Sequence, residues 1–259
     1  MTAASYDLSA QPAAVQPNNL LAPARWLTAR HLDKALWFTG IVVVIFGVVL
    51  TAIGADISFS LWENFVSSGP AWFTLAMGAT AVTSFLPVLV AQGQTRGRFV
   101  AAAALALAAL AVLLSIFVLV GYGAESLLNE RLGWSMALVG EHTFDSRSQI
   151  FLVFSEYFVR YLLFGLVGIL AGYGFYRAGG WWGTLLLLLT AALPLGLGNI
   201  LLVQEFEIIR QGFASMTFVW VGLTTATVAG LGLTLAFELV LFFVCYALLR
   251  TVPIRTKLN

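Results

Sequence analysis

Charge is what this chain has least of. Only 10% of its 259 residues are Asp, Glu, Lys or Arg, against about 25% in an average soluble domain. Lysine is almost missing, with 2 residues beside 11 arginines. The single cysteine, Cys245, rules out an internal disulfide and says nothing of redox compartment. There are two histidines, His31 and His142, and no HExxH or CxxC spacing that would assemble a metal site. No GxxxxGK[ST] loop is present, so ATP hydrolysis by the usual phosphate-loop route is excluded, and no GxSxG marks a serine nucleophile. No catalytic, cofactor-binding or metal-ligating residue is therefore expected. A net charge of +1 gives no footprint for nucleic acid. Neither a heptad nor a fixed glycine period occurs. What the chain has is apolar surface: 60% hydrophobic residues and a mean hydropathy of +0.94. Twenty-five formal charges cannot cover a compact soluble fold of this composition, and large apolar patches would face water. The class that remains is an all-α, polytopic integral membrane protein.

A spanning helix needs roughly 20 apolar residues to cross about 30 Å of hydrocarbon. Residues 37–55, 71–91, 99–122, 157–176 and 181–202 meet that length, and 231–249 makes a sixth. Residues 1–23 are rich in Ala, Gln, Pro, Asn and Ser and read as a flexible cytoplasmic tail. No basic stretch precedes an apolar one there, so no cleaved signal peptide is expected. Residues 24–250 form one transmembrane domain, and 251–259 form a second cytoplasmic tail. Residues 24–36 gather Ala29, Leu32 and Leu36 on one side and Arg30, Asp33 and Lys34 on another. They read either as a short interfacial helix or as a plain extension of the first span. Residues 213–229 are Thr-rich and weaker as a crossing, which leaves a re-entrant, interfacial or long-helix reading open.

Charge placement chooses among these counts. With six spans and both ends inside, nine of thirteen basic residues fall on the cytoplasmic side: Arg25, Arg30, Lys34, Arg96, Arg98, Arg177, Arg250, Arg255 and Lys257. The outer connections collect Asp56, Glu63, Glu125, Glu130, Glu141, Asp145, Glu205 and Glu207. A seventh crossing at 213–229 would move the basic C-terminal tail outside. Trp62, Trp72, Trp134, Trp181 and Trp182 fall at span ends and read as interfacial anchors. His31 and His142, on opposite faces, read as solvated or interfacial residues, and the GEHTFD segment around His142 as a plain acidic loop.

Polar residues inside the apolar segments are few, and each is therefore a candidate. Glu238 lies deep in the last span and is expected to face other helices, as a gate or as part of a substrate path. Glu156 and Arg160 are four apart and can pair along one helix face, although Arg160 is also a possible partner for Glu238. Gly165, Gly168 and Gly172 form a small-residue stripe suited to close helix packing. Pro87 and Pro194 are expected to kink their helices. Between the second and third spans lies a short basic turn, Gln92, Gly93, Gln94, Thr95, Arg96, Gly97 and Arg98. It reads as a positive-inside anchor or as a docking knob.

An interfacial first helix, six spans with both ends inside and a compact basic turn resemble the permease subunit of a type-2, exporter-type ABC transporter. The segments FLPVLVAQGQTRGRF, VGYGAESLLNERLGW and LLRTVPIR are, more narrowly, similar to small actinobacterial ABC-permease-like proteins. The resemblance implies that Gln92–Arg98 couples to a separate ABC ATPase subunit, which binds the ATP, and that 204–229 includes outer-leaflet re-entrant helices. It further implies a homodimer or heterodimer of permeases in the bacterial plasma membrane. The other classes open to the sequence are a secondary transporter and a non-transporting scaffold or immunity-type membrane protein.

Overall fold

A computed structural model describes residues 20–53, 59–134, 137–138, 142–144, 146–187, 217–218 and 223–251. Its elements are helices α1 (Leu21–Ile53), α2 (Leu61–Thr80), α3 (Leu86–Ala91), α4 (Arg96–Leu132), α5 (Ile150–Leu187) and α6 (Thr225–Arg250). Two-residue strands at Thr217–Phe218 and Leu223–Thr224 pair antiparallel, a minor addition to a helical protein. Five helical stretches are long and apolar enough to cross a membrane: Leu21–Ala52, Leu61–Ala91, Arg96–Leu132, Ile150–Gly179 and Leu231–Arg250. Much of the expected 181–202 span, Pro194, residues 1–19 and 252–259 of the expected tails and most of 213–224 lie outside the described residues, and the last residues of the expected first tail belong to α1.

The helices overrun the spans expected from hydropathy, because apolar periodicity marks only the part that meets lipid. α1 is one unbroken helix of 33 residues, about 50 Å long, so residues 24–36 extend the first span and do not form a separate interfacial element. Its faces also differ from expectation. Ala24, Leu27, His31 and Ala35 are buried against the bundle, while Ala29, Leu32 and Leu36 are exposed, Leu36 at 60%. The bundle-facing stripe recurs every three to four residues and includes bulky as well as small side chains, while Leu32 and Leu36 face outward. α2 starts ten residues ahead of the expected span, capped by Ser60, whose Oγ accepts from the Glu63 N–H. α4 runs 37 residues, about 55 Å, well beyond the hydrocarbon.

α5 is the central helix, packed against α2, α4 and α6. Glycine makes its crossing with α2 possible. A Cβ at Gly168 would collide with the Leu75 carbonyl, one at Gly172 would fall 2.7 Å from the Ala79 carbonyl oxygen, and one at Gly78 would meet the Gly165 carbonyl. Gly165 also receives Leu107 of α4. The Tyr161 hydroxyl donates to the Val66 carbonyl at 2.8 Å and ties the same helix pair. At Gly179 the backbone leaves the helix (φ 80°, ψ −174°), a conformation that costs glycine little. A Cβ on Gly183 would lie 2.7 Å from the Phe175 Cα, so the chain doubles back at Gly179. The returning limb is described only to Leu187.

Ahead of Pro87, residues Ala81–Phe85 form a π-helical turn between α2 and α3, with the Leu86 N–H bonded to the Ala81 carbonyl. A π turn is a usual site of helix bending. Trp62 is no interfacial anchor: it is 3% exposed, donates from Nε1 to the Val118 carbonyl at 3.1 Å and covers Gly121 between Phe46 and Phe117. Trp72 and Trp181, by contrast, are exposed.

Candidate functional site

The chemistry divides between the two ends of the bundle, with one acid between them. At the first end lies the Gln92–Arg98 turn. The Gln94 N–H bonds the Leu89 carbonyl and the Gly93 N–H bonds the Val90 carbonyl, each at 3.0 Å, which is the Schellman closure of α3. Gly93 takes the left-handed conformation that this closure needs, at φ 85°. Thr95 then caps α4, its Oγ1 accepting from the Arg98 N–H at 3.3 Å. Two termini therefore meet with no slack, and the turn moves as part of α3 and α4.

Beside it sit the start of α1, with Ala22, Pro23 and Trp26 next to Gln92 and Gln94, and the end of α6, where Arg96 Nη1 donates to the Arg250 carbonyl at 3.3 Å. Arg25, Arg30, Lys34, Arg96, Arg98 and Arg250 consequently share one end. His31 at this end is 1% exposed, packed near Phe85, with neither ring nitrogen hydrogen-bonded among the described residues, so it is a core residue and not a solvated one.

Glu238 is 3% exposed, and neither carboxylate oxygen has a hydrogen-bond partner among the described residues. It lines an apolar groove of about 450 Å³ between α4, α5 and α6, with Ala104, Ala108, Leu162, Leu166 and Phe242. Arg160 does not reach it. Arg160 instead lies 3.5 Å from Glu156 and over the Tyr157 ring.

The far end holds a polar cluster that sequence reasoning did not assemble. His142 Nε2 meets Glu63 Oε1 at 2.8 Å, and its Nδ1 meets Glu156 Oε1 at 2.9 Å. With both glutamates ionised their oxygens only accept, so both ring nitrogens donate and the ring is an imidazolium. Burial alone would lower the His142 pKa from 6.5. The hydrogen bonds and charges of Glu156 and Glu63 outweigh it and raise the value to about 9. Glu156 Oε2 accepts from both the N–H and the hydroxyl of Thr143 at 2.8 Å, and His142 stacks on Phe144. Next to this triad, Glu125 caps the start of α2, accepting from the Trp62 N–H at 3.1 Å and the Ser60 hydroxyl at 2.7 Å, with Arg147 at 3.6 Å. The Tyr122 and Tyr157 hydroxyls bond each other at 2.9 Å below it.

The GEHTFD segment is thus not a plain acidic loop. Its histidine binds together α2, α5 and the 133–149 connection, and a parallel bridge between Phe59 and Ala137 adds to that closure. The triad carboxylates and the His142 side chain are nearly fully buried, so the cluster is closed to substrate. Two signals point to it in the sequence: Ser60 followed three residues on by Glu63, the start of a capped helix, and Tyr122, Glu125 and Asn129 at helical spacing from the end of the expected third span onward. No group of three or more metal-type ligands occurs among the described residues. Comparison of the chain with protein-family models, curated proteins and solved structures finds no match to any of them.

Proposed function

We propose that the chain is the membrane-embedded permease subunit of an ATP-driven ABC exporter, working with a separate ATPase subunit that docks on Gln92–Arg98. The observation that carries this reading is the convergence of a rigid basic turn with the start of α1 and the end of α6 at one end of the bundle. A partner that grips such a turn moves α3 and α4 directly and reaches α1 and α6 through it. The π turn at Ala81–Phe85 gives α2 a place to bend as the turn moves. The partner binds and hydrolyses ATP, and the permease contributes the docking surface and the helices. Coupling requires that the two states of the ATPase contact the turn differently. The basic end faces the cytoplasm of a bacterial cell, where positive charge is retained and the ATPase resides. Two permease chains, identical or not, complete the transporter through the apolar faces left exposed on the helices.

Docking is tested by the double charge reversal Arg96→Glu, Arg98→Glu. The expected outcome is loss of ATPase co-purification with membrane insertion intact. Unchanged co-purification would overturn the assignment.

A further inference from the structure

α6 carries one acid at membrane depth. Glu238 lies about 18 Å along the helix from Arg250, well inside the apolar stretch Leu231–Arg250. On this helix Thr234, Leu241 and Cys245 are buried, whereas Leu235, Leu239 and Phe242 line the groove shared with α4 and α5. At about 100° per residue Glu238 falls between those two arcs, where α6 meets Leu162 and Leu166 of α5. Its side chain approaches the Leu163 backbone of α5 without making a hydrogen bond among the described residues.

The groove holds about 450 Å³, inside the range of about 300–1,000 Å³ usual for small-molecule sites. Among its described lining residues Glu238 alone has a polar side chain. Leu105, Leu235 and Leu239 line it and are exposed, so it opens sideways onto the hydrocarbon. An acid buried in such a wall is costly unless something answers its charge. Its oxygens are covered, and no neighbouring lining side chain can hydrogen-bond. A ligand that depends on polar contacts therefore finds none. The groove offers apolar area, the Phe242 ring and one negative charge felt through low-dielectric surroundings.

We propose that this groove binds a lipophilic cation, an apolar body whose single positive charge is shielded by alkyl or aryl groups. Such a charge needs no hydrogen bond, and its attraction to Glu238 acts across the apolar atoms that cover the carboxylate. The compound partitions into the bilayer by itself and enters the groove from the lipid side. Phe242 adds the attraction of an aromatic ring for a cation. An anion of the same shape gains the apolar contact and is repelled by the charge. As the class of compound exported, this rests on the permease reading. The binding itself does not, because it belongs to the isolated chain.

The test is equilibrium dialysis of the purified full-length protein, in an uncharged detergent, against tetraphenylphosphonium and against tetraphenylborate, which share a shape and differ in sign. The wild type binds the cation more tightly than the anion. Glu238→Gln weakens the cation about tenfold, the scale of one lost charge interaction in a partly apolar site, and brings the two ions together. Glu238→Asp keeps the charge and retains the preference for the cation. Ala108→Phe fills the groove and weakens the cation with the carboxylate intact. Glu130→Gln, an exposed acid outside the groove, binds like the wild type. No binding of the cation, equal binding of both ions by the wild type, or equal weakening by Glu130→Gln overturns the proposal. Co-purification of the ATPase with variants of the turn answers separately for the permease reading, so either can fail while the other stands.

Discussion

His142 ties α2 and α5 together through two buried carboxylates. It lies between two buried carboxylates that it alone separates, and removing it leaves both without their shared cation. Breaking a buried ion pair from one side costs about 3–5 kcal/mol, so His142→Ala should lower unfolding stability in detergent by that order. The pH dependence has a definite sign. The folded pKa of about 9 stands above the unfolded value of 6.5. The stabilisation is therefore complete below pH 6.5 and is lost as pH rises through about 9. Across that window the wild type should lose about 3 kcal/mol, while His142→Gln stays flat. A pH-independent wild type would show that the imidazolium is not held as the geometry requires. The cluster could not be read along the chain because its partners are remote: Glu63 lies 79 residues from His142, and Ser60 lies 65 from Glu125. Periodicity reports local faces and is blind to such pairings.

At the scale of elements, the α2–α5 crossing is decided by glycines that admit no side chain. Gly168→Val forces the Leu75 backbone away and should cost about 1–3 kcal/mol or more, read as a lowered midpoint in detergent unfolding. Gly232→Ala is the control: nothing among the described residues lies within 4 Å of its Cβ position, and about 0.5–1 kcal/mol should be gained from helix propensity. Equal responses from the two would mean that the helices do not cross at Gly168. The stripe of Gly165, Gly168 and Gly172 is visible in the sequence, but its partner Gly78 is not, since nothing local says which helix comes opposite. Helix ends were legible only where an apolar run stops together with its helix, as at Ala91. α4 continues ten residues past its apolar stretch, where Glu125 bonds the start of α2, Tyr122 bonds Tyr157, and Asn129 is buried as well. The buried side of α1 was misjudged for a related reason. Side-chain polarity marks water against apolar surroundings, whereas at membrane depth both neighbour helices and lipid are apolar, so polarity does not mark the inward face.

At the scale of the molecule, scarcity of charge made the membrane class plain, and five described helices have the length and composition to span. The distribution of those few charges follows the bundle axis. Arginines and Lys34 gather with the α3–α4 turn at one end, and Glu63, Glu125 and Glu156 are locked around His142 and Arg147 at the other. This polarity is the basis of the proposed docking end. It demands that the turn lie in the cytoplasm and the histidine cluster outside. Cysteine labelling reads that directly, because the native Cys245 is buried and silent to polar reagents. Gln92→Cys and Ser146→Cys, both at exposed positions, are treated in intact cells with a membrane-impermeant maleimide. Labelling of Ser146→Cys at once, and of Gln92→Cys only after the cells are permeabilised, is the predicted result. Labelling of Gln92→Cys in intact cells would put the basic turn outside, beyond the reach of any cytosolic ATPase, and would contradict the account.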